Sequence, residues 1–240
     1  MAVYVLSDLH LSTNKKTNKS MEVFGARWHG YMERIETNWK RLVEPTDTVI
    51  VPGDISWAMT LDEATEDFAY LNALPGTKII GKGNHDYWWA TQAKATAFFE
   101  KNDFHTIHML HNNAFLAEEF LICGSRGWFH DENGSNVPPE TDYKKIVARE
   151  AMRLRLSLSE GEKLNPDLEK LVFLHFPPVF KEFRCREILD VLHAFGVKRC
   201  YYGHIHGTYD FPGAFTDEDI LFTMVSADYR NFTPLHIPKA

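Results

Sequence analysis

The 240-residue chain carries 44% hydrophobic and 25% charged residues, globular proportions that exclude a disordered, collagen-like or coiled-coil protein. Its formal net charge of −7 disfavours the basic surface that duplex nucleic acid requires. No apolar stretch approaches the roughly 20 residues that span a bilayer, so no membrane association is expected.

Met1 leads directly into an apolar run with no basic region and no signal-like stretch, which predicts a cytoplasmic address. Cys123, Cys185 and Cys200 are odd in number and far apart, which suits reduced thiols rather than a disulfide framework. Length and the absence of a linker-like segment predict one domain over 1–240.

Ala2 to Leu6 reads as a buried strand that delivers Ser7-Asp8-Leu9-His10 at its tip. Lys15 to Lys19 reads as a solvated loop. Tyr31, Met32, Ile35, Trp39 and Leu42 recur from Trp28 at helical spacing. Thr48 to Val51 is a second strand, closed by Pro52-Gly53-Asp54, and Leu61, Ala64, Phe68 and Leu71 mark a second helix. Lys78 to Ile80 is a third strand, running into Gly81-Lys-Gly-Asn-His-Asp86. A third helix is expected with Trp89, Ala93, Ala97 and Phe98 on one side. This alternation implies βαβ units and parallel strands.

Three short strands follow, Phe104 to Leu110, Ala114 to Ala117 and Phe120 to Cys123, with Asn112-Asn113 expected to make a hairpin turn between the first two. Arg126 to Tyr143 is polar and turn-rich, and Tyr143 to Leu158 is an amphipathic helix. Leu171 to Leu174 leads to His175, a helix spans about Cys185 to Phe195, and Arg199 to Tyr202 opens onto Gly203-His-Ile-His206. Ile220 to Ile237 reads as two further β-segments.

Five of these strands end in residues that bind hard or borderline cations: Asp8 and His10, Asp54, Asn84 and His85, His175, and His204 and His206. Functional groups of an open α/β sheet gather beyond the carboxyl ends of its strands, so the five tips are expected to converge. One residue separates Asp8 from His10 and His204 from His206, a spacing that in a strand puts both side chains on one face. Imidazole and carboxylate suit Mn, Fe or Zn, and the thiolate-poor set disfavours iron–sulfur or structural zinc.

Asp8-Leu-His10, Gly53-Asp54, Gly83-Asn-His-Asp86, His175 and Gly203-His-Ile-His206, in this order, resemble the calcineurin-like metallophosphoesterases. Met21 to Gly25, Gly53 to Ala58, Asn84 to Trp89 and Gly124 to Trp128 are similar to a bacterial branch of predicted phosphohydrolases. The resemblance implies a four-layer αββα sandwich of two mixed sheets flanked by helices, with the site at the strand C-terminal ends. It implies two divalent metal ions, with Asp8, His10 and His206 holding the first, Asn84, His175 and His204 the second, and Asp54 bridging.

It further implies hydrolysis of a phosphomonoester or phosphodiester by in-line attack of a metal-bridging hydroxide, since bound metals bring the pKa of water from 15.7 toward about 7. His85 matches the family's catalytic histidine and would aid the leaving group, a role typically worth about 10²- to 10⁴-fold. Two dications outweigh Asp8 and Asp54, so a small phosphorylated substrate is attracted although the chain is acidic.

Gly53-Asp54 continues as Ile-Ser-Trp-Ala and lacks the second Asp and the Arg of the protein serine/threonine phosphatase branch, which argues against a protein substrate. Arg126, between a strand and glycine, is the candidate replacement for gripping substrate phosphate. Trp57, Trp88, Trp89 and Trp128 lie near the motifs and either line a pocket or pack the core. The alternative function is a non-catalytic metal-binding scaffold that recruits protein partners.

Overall fold

The computed structural model describes residues 1–14, 19–129 and 142–239. The Lys15 to Lys19 loop, apart from Lys19, and most of the turn-rich stretch after Phe129 lie outside the described residues.

Strands β1 (Val3–Val5), β2 (Thr48–Val51), β3 (Thr77–Ile80) and β4 (Ile107–Met109) alternate with helices α1 (Tyr31–Leu42), α2 (Thr65–Ala73) and α3 (Gln92–Lys101). After them come β5 (Phe115–Ala117), β6 (Phe120–Ser125), α4 (Tyr143–Leu164), β7 (Glu169–Leu174), the short pair β8 (Val179–Phe180) and β9 (Phe183–Arg184), and α5 (Arg186–Ala194). The chain closes with β10 (Arg199–Tyr202), β11 (Ala214–Asp217), β12 (Ile220–Met224) and β13 (Leu235–Ile237).

One sheet has the order β13-β1-β2-β3-β4 and the other β11-β12-β10-β7-β6-β5. The inner strands run parallel, while β13, β11 and β5 are antiparallel edges. Alternation along each strand sorts side chains into layers. Val3, Val5, Ile50 and Ile79 of the first sheet meet Ile122, Leu171, Phe173 and Tyr201 of the second in one buried cluster. Their neighbours Val49, Val51 and Ile80 pack on Ile35, Trp39, Phe68 and Phe98 of the first helices. Cys123, Val172, Cys200 and Tyr202 pack on Leu154, Leu158, Ile188 and Leu192 of α4 and α5. The architecture is therefore helix, sheet, sheet, helix. Among the described residues no helix is long and apolar enough to cross a membrane.

Two local expectations need correction. The Asn112-Asn113 turn does not join a hairpin, because β4 belongs to the first sheet and β5 to the second. Asn112 adopts a left-handed backbone (φ 59°), Asn113 Nδ2 donates to the Met109 carbonyl, and the chain crosses between layers there. The hairpin lies one connection later, where Glu118 (φ 55°) turns β5 into β6. The buried face of α3 is Ala95, Phe98 and Phe99, not Ala93 and Ala97, which are exposed. Helix α3 starts only after its N-cap Thr91, whose side chain accepts from Lys94 N–H, so Trp89 lies before the helix and does not set its register.

The two sheets are sewn together at their carboxyl ends. Ser7 N–H donates to the Val225 carbonyl (2.9 Å) and Ala227 N–H to the Ser7 carbonyl (2.9 Å). The Val225 N–H in turn donates to the Tyr202 carbonyl (2.8 Å). Strand tips from both sheets therefore open onto the same edge.

Candidate metal centre

Asp8 and His10 leave β1 not as strand residues but in left-handed conformations (φ 61° and 45°), as do Asp54 (φ 51°) and His204 (φ 69°). Asp and His tolerate that region better than most residues, and such strain clusters at functional sites. These residues are therefore not strand residues: Asp8 and His10 still reach one donor group, whereas His204 and His206 diverge and the one-face expectation fails for them. Leu9 and Ile205 turn into the core. His206 faces His10 and Trp28, whereas the His204 ring packs against His175 and Phe176.

Two glycines make this crowding feasible. A Cβ on Gly83 would sit 2.0 Å from Asp54 Oδ1, and one on Gly203 would sit 2.3 Å from Asp8 Oδ2. No side chain fits at either position without displacing a carboxylate.

The donor atoms converge. Asp8, His10 and His206 form one group with donor atoms all within 4.8 Å of one another, and Asp8, Asp54 and His175 form a second. His10 Nε2 and His206 Nε2 lie 3.3 Å apart. Asp54 Oδ2 lies 3.6 Å from His10 Nε2 and 3.5 Å from His175 Nε2, so one oxygen faces both groups. Asn84 Oδ1 is 2.7 Å from His175 Nε2. The carboxylate common to both groups is Asp8, with Asp54 lying between His10 and His175.

The set fits cations on three counts. Asp8, Asp54 and His175 are each no more than 1% exposed, and buried charges require partners. His10 Nδ1 and His175 Nδ1 are buried without a hydrogen-bond partner. The electrostatics conflict when only protein groups are present. Burial pushes the Asp8 carboxyl up, but His206, His175 and His10 prevail and hold it well below the usual carboxylate range. Burial, Asp86 and Asp8 push Asp54 well above that range, and burial drives His10 and His175 well below ordinary imidazole. Burial also opposes charge on His206, yet Asp228 and Asp8 raise it to about 10. Cations between these groups would stabilise both carboxylates and leave the imidazoles neutral.

Two carboxylates that sequence reasoning left without a role hold the donors in place. Asp228 Oδ1 is 2.8 Å from His206 Nδ1. A carboxylate only accepts, so Nδ1 carries the proton and Nε2 is turned to the cluster, the usual orientation of a metal-binding histidine. Tyr209 O–H (2.8 Å) and Gly207 N–H (3.1 Å) fix the other oxygen of Asp228. Asp228 closes the apolar run after β12, the same strand-then-carboxylate signature as Asp8, so a signal existed. Asp86 accepts from Gly83 and Asp54 N–H on Oδ2 (2.7 and 2.9 Å). Its Oδ1 accepts from Ile55 N–H (2.8 Å) and Trp88 Nε1 (2.9 Å). It ties the Asp54 loop to the Asn84 loop.

His85 donates its backbone N–H to Asp54 Oδ1 (2.8 Å). Its ring lies 4.5 Å from that of Trp57 and 5.7 Å from that of His10, centroid to centroid. Burial lowers its pKa, and Nδ1 is buried without a partner. Among the described residues no carboxylate pairs with the ring; Trp57, which also stacks on His10 at 4.9 Å, is what packs against it. Arg126 lies on the flank: its carbonyl accepts from Phe176 N–H (2.9 Å) beside His175. Its guanidinium is 5.8 Å from the Phe176 ring and 3.8 Å from Glu150. Of the other tryptophans, Trp88 is core, Trp128 packs on Phe176, and Trp89 faces His111.

Comparison with known proteins identifies a family and a fold. A family model described as calcineurin-like phosphoesterase matches residues 1–208. No curated protein sequence matches the chain. Among solved structures, the phosphopantetheinyl hydrolase of Mycobacterium tuberculosis is similar with a TM-score of 0.56 and 15% identity, over 100% of this chain and 96% of that one. A Thermus thermophilus protein is similar with a TM-score of 0.55 and 13% identity, over 98% of this chain and 97% of that one. At these identities the likeness concerns the fold.

Proposed function

The chain belongs to the calcineurin-like phosphoesterase family and is a metal-dependent phosphoric ester hydrolase; from that premise we propose that it is a dinuclear enzyme acting on a small phosphorylated molecule. Asp8, His10 and His206 would hold one cation and Asn84, His175 and His204 the other, with Asp54 shared. The observation that carries this reading is the single Asp54 oxygen set 3.6 Å from His10 and 3.5 Å from His175. Mn, Fe and Zn all suit the donor set. Bound there, such ions polarise phosphoryl oxygens and bring the pKa of water near neutrality.

The protein groups have distinct tasks. Asp86 and Asp228 keep the donors aimed, so that charge developing on the phosphoryl group meets a preorganised site. His85 stands outside the donor groups with one ring nitrogen uncommitted, and Trp57 packs against the ring. We assign it to protonating the leaving alkoxide or stabilising its charge. The Mycobacterium tuberculosis neighbour, a phosphopantetheinyl hydrolase, makes phosphopantetheinyl compounds reasonable members of a substrate panel.

The test is hydrolysis of p-nitrophenyl phosphate and its bis-ester with and without Mn²⁺, for the wild type and H85A. Metal-dependent turnover that H85A lowers by about 10²- to 10⁴-fold, with metal content retained, is expected. Loss of metal in H85A, or unchanged turnover, overturns the assignment of His85. No hydrolysis of either ester by the metal-loaded wild type promotes the scaffold reading instead.

A further inference from the structure

Beside the donor cluster lies a second concentration of charge, of opposite sign to the chain as a whole. Lys82, Lys94 and Arg153, with Trp89 and His111, line an open groove of about 480 Å³. A narrow cleft sharing Lys82, His111 and Arg153 continues from it to Arg126 and Glu150. Among the described residues that line the two, four cations face one carboxylate, a surplus of three positive charges on a protein of net charge −7.

This is not an ordinary solvated face. Glu150 is fully buried, and the Arg126 and Arg153 side chains are only 20% and 30% exposed. Glu150 Oε1 is shared among Arg153 (2.8 Å), Arg126 (3.8 Å) and Arg149 (3.8 Å). One carboxylate oxygen cannot satisfy three guanidinium groups with five donors each, and Arg126 Nε is buried without any partner. Lys82 and Lys94 make no ion pair among the described residues. Uncommitted donors that converge at a partly desolvated wall are the chemistry of an oxyanion site.

The groove is also correctly placed. Lys82 is two residues before Asn84, and the Arg126 backbone is hydrogen-bonded beside His175, so the cationic wall begins where the donor cluster ends. Lys94 and Trp89 lie at the outer groove, away from the Arg126 cleft.

We propose that this groove binds a second anionic group, a phosphate or diphosphate carried by the same small substrate whose phosphoester meets the donor cluster. The substrate class is thus a bis-phosphorylated small molecule. The proposal rests on the phosphoesterase reading for the scissile end, but the anion site is defined by the groove residues alone.

The test uses the full chain in two states and two variants, R153Q and K94E, the second at an exposed position in the first turn of α3, where an acidic side chain suits the helix dipole. Calorimetry of pyrophosphate binding to metal-free protein in chelator reads the groove without the donor cluster. Wild type binds, and each variant binds at least tenfold more weakly. With Mn²⁺-loaded protein, the ratio of kcat/KM for adenosine 3′,5′-bisphosphate to that for adenosine monophosphate falls at least tenfold in each variant. Absence of pyrophosphate binding, or equal affinity in wild type and K94E, overturns the groove. Hydrolysis with an unchanged ratio overturns the substrate class. Pyrophosphate binding with no hydrolysis of any ester supports the groove and overturns the phosphoesterase reading, so the two failures are distinct.

Discussion

Replacing Asp86 by Asn tests whether one buried carboxylate keeps the two central loops in register. The wild-type side chain accepts from Gly83, Asp54, Ile55 and Ser56 N–H and from Trp88 Nε1. An amide retains one acceptor oxygen and offers two donors. If the oxygen keeps the Ile55 and Trp88 side, the Gly83 and Asp54 N–H groups face an NH₂ group and lose their acceptor. A buried donor left unsatisfied costs about 1–3 kcal/mol, so two cost about 2–6 kcal/mol. For a chain of this size each kcal/mol moves Tm by about 2–4 °C, and the lower half of that energy range, about 2–4 kcal/mol, already predicts a fall of about 4–16 °C. The Asp54 loop should relax with it, weakening Mn²⁺ binding by about 10- to 100-fold. Differential scanning calorimetry and a Mn²⁺ titration read both. A D86N protein with wild-type Tm and wild-type metal affinity would refute the reasoning.

Two further outcomes follow from the histidine side of the site. D228A removes the acceptor that fixes the His206 tautomer, so Mn²⁺ affinity should fall about 10- to 100-fold, whereas D228N, whose amide keeps one acceptor oxygen, should lose less; equal affinity in D228A would show that Asp228 does not orient His206. In the metal-free protein Asp228 and Asp8 raise His206 to about 10, so at neutral pH it carries a proton that a cation must displace. Calorimetry between pH 7 and 9 should therefore show Mn²⁺ affinity rising with pH, by up to about tenfold per unit for one released proton, and a flat or falling profile would contradict that assignment.

Much of the fold is legible because each buried strand is a short apolar run with a polar tip, and the run and the tip are both local features. Thr48-Val-Ile-Val51 before Pro-Gly-Asp54 is an example, as is Arg199-Cys-Tyr-Tyr202 before Gly-His204. The candidate donors are legible for the same reason, since each sits directly after such a run. What local pattern does not carry is which sheet a strand joins. Ile107–Met109 and Phe115–Ala117 look alike in sequence, and the Asn112 turn between them sends the chain to the other layer because β3 and β6 supply the free edges.

Nor does local pattern reveal roles defined by distant partners. Asp86 acts on residues some thirty positions earlier, and Asp228 acts 22 positions back on His206. The left-handed backbones at Asp8 and His10 are hidden too, because their one-residue spacing suits a strand equally well. The cationic groove escapes because it is assembled from β3, β6, α3 and α4 termini and faces, each contributing a charge that is ordinary by itself.

The central proposal is that two cations share the donor cluster at the carboxyl ends of the two sheets. Anomalous diffraction from Mn²⁺-loaded crystals tests it directly. Two peaks are predicted, one among Asp8, His10 and His206 and one among Asn84, His175 and His204, both within coordinating distance of Asp54. A single peak, or two that do not share Asp54, would contradict the account.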